Sequence, residues 1–232
     1  MAAREPERLI EAGGVTVWQA RGPVDAATLE HCRAVLSPAE LERAARFIVE
    51  PPRHHFIVAR GTLRLLLGDA LSLDPRALEF EYGRFGKPSL KPGTAPEVEF
   101  NVSHSGEVVL VAIGGSRPLG VDVEAERDHR DFLRLAQRFF APGEVERLES
   151  VPESGHAAAF YRCWTRKEAY LKARGTGITL GLDTFEVAFL PDEREAVVRT
   201  PPDDSPGNWN VFAIEAAPGH AAALMVARED PL

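Results

Sequence analysis

The chain has 232 residues, of which 44% are hydrophobic, and a formal net charge of −8. This length and composition allow one large domain or two small ones with a sizeable core. The acidic balance argues against a nucleic-acid-binding protein, which normally has a basic surface, so an anionic ligand must meet a local basic cluster.

Neither secretion nor membrane insertion is indicated by the sequence. The segment MAAREPERLI contains charges and lacks the apolar part of a signal peptide, and apolar runs such as VVLVAI are too short to span a bilayer. Cys32 and Cys163 lack the paired spacing of a zinc site or a redox dithiol, so we expect both to be reduced and structural. We therefore expect a soluble cytoplasmic protein that binds neither membranes nor nucleic acid.

The first half of the chain mixes strand and helix patterns. They predict a strand over 9–19, a helix from Ser37 to about residue 47, a helix over 53–69, a strand over 78–82 and a strand-turn-strand hairpin over 98–114. The first of these helices begins with the capping residue Ser37, a proline directly after it, and Glu40 three residues beyond the cap. In the second helix, Arg53, Arg60 and Arg64 share a side away from the apolar stripe, which predicts a basic face.

Two polar segments of this half are candidate ligand-binding positions. Lys87 lies in the turn-rich segment GRFGKPSLKPG, between a glycine and a proline that stiffen the loop. Asn101, Ser103 and His104 are expected at the bend of the hairpin, where hydroxyls and an imidazole could hold a phosphate. Taken singly, a loop lysine is usually solvated and a histidine in a turn is usually a surface residue.

The strand over 119–124, LGVDVE, carries a more informative pattern. Its period of two places Val121 and Val123 on one face and Asp122 and Glu124 on the other. Two neighbouring carboxylates repel each other unless a cation lies between them. Hard oxygen ligands of this kind suit Mg²⁺, which commonly takes one or two carboxylates together with substrate phosphates.

A second chemical pattern lies in the segment FYRCWTRKEAYLKARGTGI, over 160–178. Basic residues near residue 174 and Gly175 directly after it predict the end of a helix. Trp164, Glu168 and Lys172 follow one another at a spacing of four and therefore share one face of that helix. Considered alone, the last two are best explained as a solvated ion pair that stabilises the helix by about 0.2–0.5 kcal/mol.

The remaining patterns predict two similar halves. They indicate a helical segment over 132–148 with a break at 141–143, strands over 184–190, 196–200, 210–215 and 221–227, and a loop over 201–207. Each half supplies helices and ends in a strand, a turn and a strand, although the residue identity between the halves is low. We therefore predict an α+β fold made of a half over 1–116 and a half over 117–232, the second carrying the metal site.

Four segments taken in order, FGKPSL, FNVSHSG, LGVDVE and WTRKEAYLKARGTGI, resemble the 4′-phosphopantetheinyl transferase superfamily, specifically its larger class with a pseudo-dimer in one chain. The resemblance implies two similar α/β subdomains related by a pseudo-twofold axis, with coenzyme A held between them. It also implies transfer of 4′-phosphopantetheine from coenzyme A to a serine of an apo acyl, peptidyl or aryl carrier protein, with release of 3′,5′-ADP.

The resemblance further implies roles for individual residues. Asp122, Glu124 and Glu168 would form a Mg²⁺ site, and Lys172 would contact the pyrophosphate and stabilise the departing phosphate. Glu168 would accept the proton of the carrier serine, directly or through a water molecule. The nucleotide end of coenzyme A, and above all its 3′-phosphate, would be bound by Arg60, Lys87, Ser103 and His104. A more loosely patterned basic region contributes Arg43, Arg46 and Arg53.

Two other functions stay open at this point: a non-catalytic module that binds coenzyme A or a carrier protein, and a magnesium-dependent hydrolase that passes the phosphoryl group to water. We expect coenzyme A and an apo carrier protein as partners, and a monomer. Trp164 is expected to pack between the two halves. A set of aromatic residues is expected in the core, namely Phe139, Phe140, Phe160 and Tyr161.

Overall fold

The structure, a computed structural model, describes residues 3–94, 97–127, 131–177, 180–191, 193 and 197–229. Within them lie six α-helices, eleven strands and several short 3₁₀ turns. In chain order the helices and strands are β1 (Glu7–Ala12), β2 (Val15–Arg21), α1 (Ala26–Ala34), α2 (Pro38–Ala45), α3 (Glu50–Leu71), β3 (Phe80–Tyr82), β4 (Pro88–Leu90), β5 (Phe100–Ser105), β6 (Val108–Gly114), β7 (Leu119–Ala125), α4 (Phe132–Phe139), α5 (Pro142–Glu149), α6 (His156–Arg174), β8 (Glu186–Val187), β9 (Val197–Arg199), β10 (Trp209–Ala213) and β11 (His220–Ala227). None of the helices described is both long and apolar enough to cross a membrane.

Two antiparallel sheets form the centre of the molecule, with strand orders β1-β2-β6-β5 and β10-β11-β7. The face between them is an apolar core to which β2, β6, β7 and β11 all contribute, through residues such as Val17, Leu110, Val121 and Leu224. Helix α3 covers the outer face of the first sheet and α6 covers the outer face of the second. The layers therefore run helix, sheet, sheet, helix.

The two sheets repeat one topology. In the first half β2 is followed by α3 and then by the hairpin β5–β6, and in the second half β7 is followed by α6 and then by β10 and β11. In each sheet the last of these strands lies in the middle, giving β2-β6-β5 and β7-β11-β10. The prediction of an α+β fold with two similar halves is thereby confirmed. We propose that the halves join at residues 116 and 117, in the short connection between β6 and β7.

Several predicted elements differ from the structure. The strand predicted over 9–19 is a hairpin of β1 and β2, because Gly13 and Gly14, with φ of 58° and 71°, turn the chain in the middle. Helix α1 was not predicted, although the Asp25 side chain caps it by accepting the Thr28 N–H. The strand predicted over 184–190 is only the two-residue strand β8. The strand over 196–200 is present as β9, and its first residue lies outside the described residues.

Two expectations about side chains are also wrong. Arg64 does not belong to an exposed basic face: it is buried, and its Nε donates to Glu40 Oε2 at 2.7 Å. Trp164 does not pack between the halves. It packs inside the second half against α4 and its own helix, touching Phe139, Phe140 and Phe160 at ring centroid distances of 5.8, 6.2 and 5.9 Å.

The position of α6 depends on a close approach to β7. A Cβ atom added to Gly120 of β7 would overlap the Ala169 carbonyl oxygen and lie 2.5 Å from the Ala173 nitrogen. Both atoms are helix main chain, which cannot move aside as a flexible side chain can. A glycine at this position therefore lets the helix backbone rest directly on the strand.

A buried ion pair ties the same helix to α5. Lys167 and Glu144 have no exposed side-chain surface, and Lys167 Nζ lies 2.6 Å from both carboxylate oxygens and 2.7 Å from the Phe185 carbonyl oxygen. Glu144 also accepts the main-chain N–H groups of Ala141 and Val187, at 3.0 and 2.8 Å. Both charges are thus fully hydrogen-bonded, which a buried pair requires.

Replacing Gly120 by alanine should destabilise the protein by about 1–3 kcal/mol, the usual cost of overpacking, or more because the obstacle is main chain. Urea denaturation followed by circular dichroism measures the change. The matched control is Gly115→Ala, because a Cβ there meets no atom within 4 Å. Equal denaturation midpoints for the two variants would contradict the close approach of α6.

Lys167→Met should lower the free energy of unfolding by roughly 3–5 kcal/mol, because it leaves Glu144 as a buried charge without its partner. The control is Lys91→Met, which removes a lysine whose partner Glu79 is exposed, and which should hardly alter the urea midpoint. If Lys167→Met were as stable as the control, the buried pair would not hold α6 to α5.

Candidate active site

The candidate site lies at the seam between the two sheets, where β5 runs beside β7. Because β7 is an edge strand of its own sheet, the N–H groups on this edge need other acceptors. Polar side chains at alternate positions of β5 supply them. The three bonds are Val121 N–H to Asn101 Oδ1 (3.0 Å), Val123 N–H to Ser103 Oγ (3.3 Å) and Ala125 N–H to Ser105 Oγ (2.9 Å).

This arrangement changes the predicted place of the polar hairpin residues. Asn101, Ser103 and His104 lie within β5, and the bend that follows is formed by Gly106 and Glu107. Since side chains alternate along a strand, the first two point to β7 and His104 points the other way. The segment therefore contributes side chains to two surfaces, one that faces β7 and one on the opposite side of the strand.

Asp122 is the buried centre of the site. Its Oδ1 accepts hydrogen bonds from Lys172 Nζ at 2.7 Å and from Ser103 Oγ at 2.8 Å. Its Oδ2 is buried and has no hydrogen-bond partner among the described residues. Lys172 Nζ also donates to Ser103 Oγ at 2.9 Å and to the Val121 carbonyl oxygen at 3.2 Å. One carboxylate oxygen is therefore saturated and the other is left to meet an electropositive partner.

Two further carboxylates lie near Asp122. Burial raises the pKa of Glu168, and so do the negative charges of Asp122 and Glu124, while Lys172 lowers it. Burial also raises the pKa of Glu124, a hydrogen bond from Ser105 Oγ at 2.9 Å lowers it, and Asp122 raises it. Mutual repulsion of this kind is relieved by a cation between the carboxylates.

The side chains do not yet form a closed metal cage. In the described parts of the chain, no three Asp, Glu, His or Cys side chains converge closely enough to hold a metal ion. The donor set nevertheless fits a hard divalent cation, because it offers carboxylate oxygens only, one of them buried and unpartnered.

Two adjoining cavities form a cleft that ends at Glu168 and Lys172. The inner cavity, of about 460 Å³, is lined by residues including Phe85, Lys87, Asn101, Glu168 and Lys172. The outer cavity, of about 380 Å³, is lined by residues including Arg43, His55, Arg60 and His104. The two share Gly86, Pro88 and Val102 in their walls, so they are consecutive parts of one cleft.

The outer cavity is basic. Burial lowers the pKa of Arg60, whose guanidinium lies 5.3 Å from the ring centre of Tyr82, but an arginine stays charged under these conditions. Partial desolvation, followed by the charges of Lys172 and His55, lowers the pKa of His104. An anion bound here would meet the permanent charges of Arg43 and Arg60 and the imidazole rings of His55 and His104.

His55 is a residue of this cavity that the sequence did not reveal. It lies in α3 next to another histidine, His54, and the spacing of residues along the helix does not indicate which of the two faces the cleft. Only the packing of the helix beside His104 shows that His55 faces the cleft.

Of three other predicted residues, one lines the inner cavity and two line neither cavity. Lys87 lines the inner cavity, while its Nζ donates to Glu99 Oε2 and to the Leu119 carbonyl oxygen, both at 3.2 Å. Arg53 donates twice to the Phe47 carbonyl oxygen, at 3.2 and 2.7 Å, and lines neither cavity. Arg46 lines neither cavity and is exposed on a third groove, which shares Arg43 and Phe47 with the outer cavity.

Taken together, the structure brings Glu168, Lys172 and Lys87 to the inner end of one cleft, where Lys172 bonds to the buried Asp122, and it brings Arg60 and His104 to the outer end. Glu124 lies beside this cleft, held by its bond to Ser105. Such a cleft can hold an elongated polyanion, with fixed positive charge at one end and a carboxylate cluster for a cation at the other.

Comparison with known proteins finds similarity along most of the chain. Residues 118–225 match the model of the 4′-phosphopantetheinyl transferase superfamily, and residues 21–115 match the model described as 4′-phosphopantetheinyl transferase, N-terminal. The chain is 37% identical over 227 residues to the 4′-phosphopantetheinyl transferase HetI of Nostoc sp., covering 97% of this chain and 92% of that protein.

Two further relatives are similar over most of their length. A putative 4′-phosphopantetheinyl transferase of Synechocystis sp. is 36% identical, covering 84% of this chain and 77% of that protein. The 4′-phosphopantetheinyl transferase Sfp of Bacillus subtilis is 28% identical, covering 87% of this chain and 86% of that protein. The chain therefore belongs to the 4′-phosphopantetheinyl transferase superfamily, in its larger class with two similar halves in one chain.

Proposed function

We propose that this protein transfers 4′-phosphopantetheine from coenzyme A to a serine of an apo carrier protein and releases 3′,5′-ADP. The observation that carries the proposal is the inner end of the cleft. There the unpartnered Oδ2 of Asp122 lies in the same cluster as Lys172 and Glu168. Relatives that match nearly the whole chain are named 4′-phosphopantetheinyl transferases.

Mg²⁺ is the cation that these residues would hold. Asp122, Glu124 and Glu168 offer oxygen donors, and their mutual repulsion would favour its binding. A bound Mg²⁺ would help to neutralise the charge of the pyrophosphate of coenzyme A.

Lys172 would bind the pyrophosphate as it cleaves. Its ammonium group is held by Asp122, Ser103 and the Val121 carbonyl oxygen, so it is positioned before substrate arrives. A preorganised cation of this kind stabilises charge that develops on a leaving phosphate. It can also supply a proton to that phosphate.

Glu168 would accept the proton of the carrier serine, directly or through a water molecule. The serine oxygen forms a bond to the phosphorus of the phosphopantetheine group, and the bond from that phosphorus to the bridging oxygen of the pyrophosphate breaks. A carboxylate with a raised pKa is a better proton acceptor near neutral pH than an ordinary one. Because such transfers depend on positioning and electrostatics, no covalent enzyme intermediate is needed.

The outer cavity would bind the nucleotide end of coenzyme A, with Arg60 and His104 on the 3′-phosphate and His55 beside them. Arg43 can add charge from the same cavity, and Lys87 would act between the two ends. This cluster meets the requirement that an acidic chain bind an anion through a local concentration of positive charge.

We also propose a monomer that works in the cytoplasm. The walls of the cleft come from both halves of one chain, with α3, β5 and the loop before β4 on one side and α6 on the other. A second copy is therefore not required to complete the site.

A transfer assay tests the proposed function. After incubation with coenzyme A, Mg²⁺ and an apo carrier, the carrier should gain one phosphopantetheine by mass spectrometry. Asp122→Asn and Glu168→Gln should each lower kcat/KM by at least about 10²–10³-fold, as expected for losing one preorganised electrostatic group. Glu149→Gln, on the exposed side of α5, should leave the rate unchanged.

Other outcomes of this assay identify the other candidate functions. Release of 3′,5′-ADP without a carrier adduct would indicate a hydrolase, and binding of coenzyme A without either product would indicate a binding module. No adduct across several apo carriers would overturn the proposal.

Arg60→Ala should weaken the binding of coenzyme A far more than the binding of dephospho-coenzyme A. The preference for coenzyme A in KM should fall by roughly 10–100-fold, which corresponds to a charged hydrogen bond of about 1.5–3 kcal/mol. Arg53→Ala is the comparison, because Arg53 lines neither cavity and its loss should leave the preference intact. Equal losses for both substrates in Arg60→Ala would remove Arg60 from the 3′-phosphate site.

A further inference from the structure

The hydroxyl groups of Ser103 and Ser105 make the same pair of hydrogen bonds two residues apart. Each donates its proton to a carboxylate of β7 and accepts the main-chain N–H of the residue after that carboxylate. The bonds are Ser103 to Asp122 (2.8 Å) and from Val123 (3.3 Å), and Ser105 to Glu124 (2.9 Å) and from Ala125 (2.9 Å).

The backbone fixes the direction of each hydroxyl proton. Since an N–H group can only donate, the serine oxygen must act as its acceptor, and the single hydroxyl proton is left for the carboxylate. Ser103 also accepts from Lys172, so its one proton and both lone pairs are used.

Asn101 shows that a side chain of this row can accept a main-chain N–H of β7 without also donating to a carboxylate. It continues the same row on β5 and accepts the Val121 N–H through its amide oxygen. The residue before Val121 is Gly120, which carries no carboxylate and cannot carry a side chain under α6. In this row a serine thus accepts an N–H whose preceding residue carries a carboxylate, and the asparagine accepts an N–H whose preceding residue does not.

We propose that Ser105 and Ser103 are positioning residues that hold the carboxylates of Glu124 and Asp122 ready for the cation. Each serine occupies one carboxylate oxygen and thereby fixes the orientation of the group. For Asp122, the oxygen left over is the buried and unpartnered Oδ2. The inference rests on the proposed function, because it assumes that these carboxylates bind a divalent cation.

Ser105 gives the cleaner test of the two. Ser103 touches Lys172 as well as Asp122, so its loss would disturb a proposed phosphate-binding charge at the same time. The Ser105 hydroxyl joins Glu124 to the Ala125 N–H, and Ser105 does not line the basic outer cavity.

The experiment compares Ser105→Val with Ser105→Thr, which have nearly the same shape but differ in the hydroxyl. Mn²⁺, titrated into the purified protein and followed by electron paramagnetic resonance, reports metal affinity without turnover. Ser105→Val should lower the affinity for Mn²⁺ by about 10–100-fold, as does the loss of other groups that orient metal ligands. Ser105→Thr keeps the hydroxyl and should retain most of the affinity. In the transfer assay, kcat should fall in Ser105→Val while KM for coenzyme A stays unchanged.

Asn101→Ala is the control for a purely structural effect. It removes a hydrogen bond of the same row that involves no carboxylate, so it should lower the urea midpoint without changing Mn²⁺ affinity. Ser105→Ala, which cannot overpack the site, provides a second variant without the hydroxyl and should match Ser105→Val.

Equal Mn²⁺ affinity in the valine, alanine and threonine variants would overturn the proposal, and so would an equal loss in Asn101→Ala. The proposal is also overturned if the unchanged protein binds no Mn²⁺. Failure of the proposed function is detected separately, as the absence of a carrier adduct in the transfer assay, and it leaves the Mn²⁺ comparison readable.

Discussion

The free edge of β7 is the constraint on which the rest of the structure depends. This strand is buried, pairs with β11 on one side, and on the other side presents N–H groups that would each cost roughly 1–3 kcal/mol if left unsatisfied. Side-chain oxygens of β5 satisfy them, and in doing so they join the two halves. Because the carboxylates alternate with these N–H groups along the strand, the seam between the halves and the candidate metal site occupy the same place.

The second requirement is that α6 reach this seam at a fixed distance. Gly120 lets the helix backbone rest on β7, and the buried bond of Lys167 to Glu144 holds the helix from its other side. Lys167 and Glu168 are neighbours in the sequence but point in different directions, one into the core and one into the cleft. The stability of the helix and the placement of the proposed base are thus properties of adjacent residues.

The sequence predicts best where one local pattern decides the outcome. The alternation in β7 indicated that Asp122 and Glu124 share one face of the strand, and the spacing of four along α6 indicated that Glu168 and Lys172 share one face of the helix. The order of elements indicated two similar halves. It fails where a distant residue decides. Arg60 and Arg64 lie one helical turn apart with the same local pattern. Arg64 is structural because it bonds to groups outside its helix, namely Glu40 and the carbonyl oxygens of Pro75 and Leu78. The hydroxyl direction of Ser103 likewise depends on a strand of the other half.

Lys172 illustrates why structural and catalytic roles cannot be separated at this site by removing single charges. Its ammonium group pairs with the buried Asp122, and loss of either partner would leave the other desolvated and uncompensated. A fall in activity after replacing Lys172 would therefore combine the loss of a phosphate-binding charge with the cost of an unpaired carboxylate. Neutral residues that orient these charges, such as Ser105, can be changed without adding or removing charge. They report on the arrangement of the carboxylates alone, and the row of β5 side chains supplies both such a residue and its structural control.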